Sequence, residues 1–153
     1  MARSANPGLI RPPLVHLAAM VAGAAAGAFR PAPLGSQPFG LVVGVALVVA
    51  GIAIVAWCKR TLAAANTPLP GGLPTTAIVR TGPYGRSRNP IYVAFALVHA
   101  GTGLCLDSAW ILAALAPALL VIGQVVVPRE ERYLEEKFGD EYRAYKAAVR
   151  RWV

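Results

Sequence analysis

The chain has 153 residues, of which 56% are hydrophobic and only 14% charged, and its formal net charge is +8. Its mean hydropathy of +0.54 exceeds that of a typical soluble domain, so a membrane protein is the first class to test. Nucleic-acid binding does not explain the positive charge, because the chain has no recognisable nucleic-acid module and its cations flank apolar runs. Contact with anionic lipid headgroups explains it more simply.

Four apolar runs without Asp, Glu, Lys or Arg cover residues 14–29, 39–58, 91–106 and 109–127. Each is close to the roughly 20 residues that cross the hydrocarbon core of a bilayer, although the first and third are shorter. The first run has an alternative, a signal peptide, which the following Arg30 and Pro31 disfavour because they disturb a cleavage site. The pattern predicts an all-α integral membrane bundle with about four transmembrane helices.

We interpret the chain as one domain, 1–153, with four parts. Residues 1–58 form an N-terminal arm and two spans, 59–90 a cytoplasmic loop, 91–127 a helical hairpin, and 128–153 amphipathic cytoplasmic helices. Alternate threading places fourteen of the fifteen basic residues, all except Arg30, on one side. The positive-inside rule then predicts a multi-pass protein of the inner, cytoplasmic membrane with both termini and the loop in the cytoplasm.

The first two spans are rich in small residues, which let helix backbones approach closely. The glycines at close spacing are Gly23 and Gly27 in the first span and Gly40, Gly44 and Gly51 in the second. We expect these two helices to pack tightly against each other.

The third and fourth spans are joined only by Asp107 and Ser108, so they must form an antiparallel hairpin. Ser108 is placed to cap the fourth helix, and Pro117 should kink that helix because proline cannot donate a backbone hydrogen bond. Beyond Pro128 the sequence "REERYLEEKFGDEYRAYKAAVRRWV" has amphipathic spacing. We expect Gly139 and Asp140 to divide it into two helices, with Asp140 as the cap of the second.

Two histidines and two cysteines lie in or beside the apolar runs. We interpret His16 and His99 as hydrogen-bonding residues within the bundle. Cys58 and Cys105 would lie at opposite membrane faces, so we expect small buried thiols, no disulfide and no metal site.

The loop from 59 to 90 is too long to be a simple connection unless it has a function or is disordered. Its second half, "TTAIVRTGPYGRSRNPIY", combines turn residues, three arginines and two tyrosines. These residues have two readings, as topological charges with interfacial aromatics or as the wall of a polar ligand site. The second is favoured because the hairpin returns Gln124 and Arg129-Glu130-Glu131 to the side of Asn89-Pro90.

The ordered combination "TGPYGRSRNPIY", a helical hairpin, and "EERYLEEKFGDEYRAYKAAVRRW" resembles the isoprenylcysteine carboxyl methyltransferase and phospholipid methyltransferase superfamily of integral-membrane enzymes. The resemblance covers about half of the chain and does not include the first two spans. It implies a cytosol-facing site for S-adenosylmethionine, built from the loop, the hairpin ends and the tail.

The resemblance also implies roles for individual residues. Those expected at the cofactor are Thr76, Ala77, Ile78, Val79, Tyr84, Arg88, Asn89, Pro90, Ile91, Tyr92, Glu130 and Glu131. Arg129 and Glu130 are the candidate catalytic residues, and Gln124, Val126 and Arg129 the candidates at the substrate. The residue types suit the ligand, because a carboxylate can hold an ammonium group or ribose hydroxyls and an aromatic ring can face adenine or a sulfonium.

Two positions depart from the family pattern. Asn89 stands where histidine is usual, and Val126 stands where the prenylcysteine enzymes place a substrate-binding arginine. Arg129 is the candidate to replace that arginine from a neighbouring turn. Methyl transfer from a sulfonium needs in-line positioning and exclusion of water more than a strong acid or base, so catalysis is compatible with both changes.

Three functions remain open at the level of sequence. The first is an S-adenosylmethionine-dependent methyltransferase that acts on a small lipophilic acceptor, such as a prenylated thiol or carboxylate or a lipid amine. The second is a non-catalytic membrane protein that retains the fold as a structural or assembly partner, and the third is a membrane-surface binding module. The expected partners are the lipophilic substrate and membrane lipids, with a possible homo-oligomer and neither nucleic acid nor metal.

Overall fold

A computed structural model describes residues 11–68 and 74–153. Most of the predicted N-terminal arm, and part of the loop after the second span, lie outside these residues. The elements in chain order are α1 (Pro12–Phe29), α2 (Phe39–Ala64), a 3₁₀ turn (Gly82–Gly85), α3 (Pro90–Cys105), α4 (Ala109–Val121), a π turn (Ile122–Val126), α5 (Val127–Phe138) and α6 (Asp140–Ala148).

The described residues form an all-helical membrane bundle, which confirms the predicted fold class. Three helices are long and apolar enough to cross a membrane: Pro12–Phe29, Phe39–Ala64 and the continuous helix Ala109–Phe138. Helix α3 is apolar but shorter, with 16 residues. It lies between long neighbours and supplies the fourth apolar segment of the bundle.

The sequence led us to expect that the first two spans pack tightly against each other, and this expectation is wrong. Helix α2 packs against α3, and α1 packs against α4. A Cβ atom on Gly44 would lie 2.7 Å from the carbonyl oxygen of Gly101, and one on Gly23 would lie 2.8 Å from the Cα of Ile111. Gly23 in α1 and Gly44 in α2 therefore mark close backbone contacts, but each helix makes them with one arm of the later hairpin.

The predicted hairpin and its cap are confirmed. The Ser108 side chain accepts a hydrogen bond from the Ile111 backbone N–H at 3.3 Å, which satisfies a free donor in the first turn of α4. The Asp107 carboxylate accepts bonds from the backbone N–H and the hydroxyl of Ser36. These contacts tie the α1–α2 connection to the hairpin turn at the end of the bundle remote from the loop.

The fourth span contains a π turn that the sequence analysis did not foresee. Pro117 lies within α4, and the π turn follows it at Ile122–Val126, where the Val127 N–H bonds to the Ile122 carbonyl five residues earlier. Pro128 also lacks an N–H, so helical hydrogen bonding is interrupted on both sides of this turn. Since a π turn holds an extra residue, it shifts the face on which every later side chain lies.

The tail divides into α5 and α6 at Gly139, as predicted. Gly139 has a φ of +53°, a conformation that glycine adopts without steric cost, and it is itself the residue before α6. Our expectation that Asp140 is the cap is therefore wrong, since Asp140 is the first helical residue. Helix α2 extends to Ala64, so the loop begins six residues later than its predicted start at Lys59.

Candidate active site

A partly open cleft lies where the loop, the start of α3 and the two tail helices meet. Its lining is mainly apolar with a few charged and hydroxyl groups, which is typical of ligand sites. The lining residues are Leu62, Thr67, Pro68, Thr75, Ala77, Ile78, Val79, Tyr84, Arg88, Asn89, Pro90, Ile91, Tyr92, Glu130, Glu131, Leu134, Tyr142 and Tyr145.

The 3₁₀ turn places Tyr84 in this cleft. Gly82 has a φ of +58°, and a Cβ atom there would lie 2.9 Å from the Thr61 hydroxyl of α2, so the turn fits against α2 only with glycine. On its other side, the Tyr145 hydroxyl of α6 donates to the Tyr84 carbonyl at 2.8 Å. The turn is therefore fixed between α2 and α6.

A buried hydrogen bond joins the two arms of the hairpin at the cleft. The Tyr92 hydroxyl donates to Oε1 of Glu130 at 2.7 Å, and the two residues are only 6% and 8% exposed. Tyr92 lies in the first turn of α3 and Glu130 in the first turn of α5. This bond engages one carboxylate oxygen of Glu130, and the carboxylate lies in a site with little water.

The neighbouring Glu131 has a different environment, because it accepts from two arginines. Its Oε1 accepts from Arg88 Nη2 at 2.9 Å and from Arg151 Nε at 3.1 Å, and its Oε2 accepts from Arg151 Nη2 at 2.7 Å. The side chains of Arg88 and Glu131 are each 9% exposed. Both oxygens of Glu131 are thus engaged within the protein, and this residue connects the loop to the tail.

Two buried donors in the cleft have no oxygen or nitrogen partner among the described residues, although the Cys58 thiol lies beside the first of them. These are the Tyr84 hydroxyl and the Arg88 Nε–H. Burial raises the pKa of Tyr84, so its hydroxyl keeps its proton and remains a donor. Because an unpaired buried donor is costly, both groups call for a ligand that carries acceptor atoms.

These residues fit S-adenosylmethionine, which the family resemblance implies. Its carboxylate and ribose oxygens suit donors such as Tyr84 and Arg88, and its ammonium and hydroxyl groups suit the Glu130 carboxylate. The apolar side chains of Ile78 and Val79 and the ring of Tyr145 supply surface for adenine.

Most of the residues that the resemblance assigned to the cofactor lie together at the cleft. Thr76 does not line it, since its hydroxyl donates to the Asn66 carbonyl at 2.9 Å, and Thr75 lines the cleft instead. The residues brought together are Ala77, Ile78, Val79, Tyr84, Arg88, Asn89, Pro90, Ile91, Tyr92, Glu130 and Glu131.

The residues predicted at the substrate are placed elsewhere. Gln124 and Arg129 are exposed, and Val126 packs into a buried cluster with Tyr92. None of these three lines the cleft. For Arg129 the reason is helical geometry, since it precedes Glu130 by one residue and lies about 100° away around the helix.

Sequence reasoning missed the contributions of α2 and of the tail tyrosines. Leu62 comes from the end of α2 and Thr67 from the segment that follows it, and Leu134, Tyr142 and Tyr145 come from α5 and α6. The apolar spacing in "FGDEYRAYK" indicated a buried face on the tail. The spacing did not indicate which residues this face would contact.

Comparison with known proteins points to one family. The sequence model of the phospholipid methyltransferase family matches residues 39–141, which is more than half of the chain. An uncharacterised protein from Haemophilus influenzae is 66% identical over 35 residues, a stretch covering 23% of this chain and 56% of that protein. The chain thus spans little more than half the length of this curated relative. No solved structure matches the chain.

Proposed function

Because the chain belongs to the phospholipid methyltransferase family, we propose that it is a membrane-embedded methyltransferase that uses S-adenosylmethionine and acts on a lipophilic acceptor. The observation that carries this proposal is the cleft in which the buried Tyr92–Glu130 pair lies with two donors that lack an oxygen or nitrogen partner in the described residues. The family match also confirms the resemblance of this sequence to the wider superfamily.

In the proposed mechanism, bound S-adenosylmethionine supplies a methyl group on a sulfonium sulfur. Glu130 would accept hydrogen bonds from the ammonium or hydroxyl groups of the cofactor, while Tyr84 and Arg88 would donate to the oxygens of the cofactor. Tyr92 holds Glu130 in place through the 2.7 Å bond. The apolar walls would orient the acceptor. They would also exclude water, so that hydrolysis does not compete with transfer to the acceptor.

The charges at the cleft favour an acceptor without a carboxylate. The terminal nitrogens of Arg88 already donate to the carbonyls of Lys146 and Val149 and to Glu131. Arg129 is exposed and does not line the cleft. We therefore propose a lipid amine as the acceptor, with a prenylated thiol as the second candidate, since neither needs a cationic partner.

We propose that the cleft faces the cytoplasm of an inner-membrane protein. The support is the distribution of basic residues, because the cleft lies on the side of the bundle that carries every basic residue of the described ranges 11–68 and 74–153 except Arg30. An acceptor dissolved in the bilayer would then approach from the membrane surface.

The binding test uses full-length protein purified in detergent and titrated with S-adenosylmethionine in a calorimeter. We expect binding in the micromolar range, about 7 to 8 kcal/mol. The substitution Glu130→Gln should weaken it by about tenfold or more, because a charge-assisted hydrogen bond contributes about 1.5–3 kcal/mol. The matched control is Glu136→Gln on the exposed side of α5, which should leave the affinity unchanged.

A methyl-transfer assay separates the proposed enzyme from the alternative function, a non-catalytic protein that retains the fold. The departures at Asn89 and Val126 favour that alternative. Vesicles containing phosphatidylethanolamine and cofactor labelled in its methyl group should yield methylated lipid with the wild-type protein and much less with Glu130→Gln. Binding without transfer to amine or thiol acceptors would support the non-catalytic function, and absence of binding would overturn the proposal.

A further inference from the structure

Residues 149–152, which we name the strap, run beside the start of α3 and contact residues that line the cleft. The Arg88 backbone N–H donates to the Arg150 carbonyl at 2.9 Å. The Asn89 side-chain amide donates to the Arg151 carbonyl at 2.9 Å, and the Ser87 hydroxyl donates to the same carbonyl at 3.4 Å. The strap thus binds consecutive residues of the loop just before the helix that carries Tyr92.

These contacts fix the orientation of the Asn89 side chain. A backbone carbonyl can only accept a hydrogen bond, so the atom of Asn89 that faces Arg151 must be its amide nitrogen. The amide oxygen then lies on the other branch of the same planar group. Because Asn89 lines the cleft and is 9% exposed, this orientation leaves an acceptor for a ligand there.

The strap and the turn of α6 before it also select which nitrogen of Arg88 remains free. Nη1 of Arg88 donates to the carbonyls of Lys146 at 2.7 Å and Val149 at 3.0 Å, and Nη2 donates to Glu131. Three of the five N–H donors of Arg88 are thus engaged, and of the two that remain the Nε–H is buried without a partner in the described residues.

Two side chains hold the strap in place. Arg151 makes a two-nitrogen contact with Glu131, and such paired bonds define direction as well as distance. Trp152 packs against the cluster of Tyr92, Ile122 and Val126, and a Cβ atom on Gly123 would lie 3.7 Å from its ring. The strap is therefore anchored on α5 and on the π turn.

We propose that the strap is a positioning element of the cofactor cleft, with Arg151 as the positioning residue that anchors it. It presents the amide oxygen of Asn89 and the Nε–H of Arg88 to the cofactor. The inference rests on the proposed function. It also accounts for asparagine at position 89, because a neutral histidine offers the same set of one donor for the strap and one acceptor for the cleft.

The experiment titrates full-length protein in detergent with S-adenosylmethionine, using the wild type, Arg151→Ala, Arg151→Lys and the control Arg132→Ala. Arg132 is an exposed cation on α5, so this control removes the same charge. We expect Arg151→Ala to weaken binding by about tenfold, since loosening the support of a site misplaces its ligand groups. Arg151→Lys should recover part of the affinity, and Arg132→Ala should match the wild type.

Thermal unfolding without cofactor separates positioning from stability. Titrations are made well below the unfolding temperature of every variant, so a role in stability alone would lower that temperature and leave the affinity unchanged. Equal affinities of Arg151→Ala and the wild type would overturn the inference while leaving the proposed function intact. A wild type that binds no cofactor would overturn both.

A second pair of variants tests the orientation of Asn89. Asn89→Asp cannot donate to the Arg151 carbonyl, whereas Asn89→His can donate there and still present an acceptor. We expect Asn89→His to lose less affinity for S-adenosylmethionine than Asn89→Asp. The reverse order, or equal losses, would contradict the proposed role of the strap.

Discussion

The two ends of this molecule are held together by different interactions. In the bundle, helix pairs approach through glycine, so that backbone meets backbone. Around the cleft, the contacts are hydrogen bonds and ion pairs between the loop, the hairpin ends and the tail. A bilayer gives apolar helices no hydrophobic reason to associate, so close fit stabilises the bundle, whereas the water-facing end uses charge.

The largest effect is expected from the buried charge cluster at the cleft. Glu131→Gln removes the partner of Arg88, whose side chain is 9% exposed, and breaking a buried pair costs about 3 kcal/mol. Reversible chemical unfolding in micelles, followed by circular dichroism, should show a free energy of unfolding lower by that amount. Glu136→Gln should change it by less than about 0.5 kcal/mol. A loss for Glu131→Gln no larger than for this control would show that the cluster does not stabilise the fold.

The bundle should respond next most strongly, to added volume rather than to lost charge. In Gly101→Ala the new methyl group would lie 2.6 Å from the Gly44 carbonyl oxygen, so α2 and α3 must separate. We expect a loss of about 2 kcal/mol in the same unfolding measurement.

The matched control for this substitution is Gly27→Ala in α1. Its nearest neighbours would lie 3.8 Å away, at the Ser108 hydroxyl and the Trp110 ring, which is ordinary contact. Its stability should be unchanged or slightly increased, because alanine favours a helix more than glycine does. If both variants lost equal stability, close backbone packing would not be what holds α2 to α3.

A pair of histidines is the exception to the apolar bundle and gives a smaller effect. His99 is fully buried, and its Nε2 lies 3.0 Å from the Ile111 carbonyl, which can only accept. Its Nδ1 therefore accepts from Nδ1 of His16, also at 3.0 Å. The substitution His99→Leu removes both bonds and should cost about 1 kcal/mol of unfolding free energy. His16→Leu removes one bond and should cost less, and the opposite order would contradict this arrangement.

The sequence predicted some features of the fold and missed others. The apolar runs, the Ser108 cap and the break at Gly139 were predictable because each depends on neighbouring residues. Which helix each glycine face meets was not, because all four apolar segments offer similar surfaces. The pairing of α1 with α4 is a property of the folded chain.

The residues of the candidate site were predictable where they belong to a sequence motif. They were not predictable where the rotation of a side chain around its helix determines whether it lines the cleft. The loop residues that the resemblance assigns to the cofactor line the cleft, except Thr76. Gln124 does not line the cleft, since it is exposed and lies within the π turn at Ile122–Val126, which the sequence did not indicate. Arg151 carried no local signal, since its role depends on the distant Glu131.

The smallest effect should come from an ion pair that uses the same two arginine nitrogens as the Arg151 contact but is exposed. Arg143 donates to Oδ1 of Asp140 through Nε at 3.0 Å and Nη2 at 2.6 Å, yet the two side chains are 54% and 96% exposed. Water and salt screen such a pair, so Arg143→Ala should leave the free energy of unfolding almost unchanged. Arg151→Ala should cost more in the same assay, because its partner Glu131 is 9% exposed. Equal losses would mean that contact geometry, rather than burial of the carboxylate, determines how strongly charge stabilises this end of the molecule.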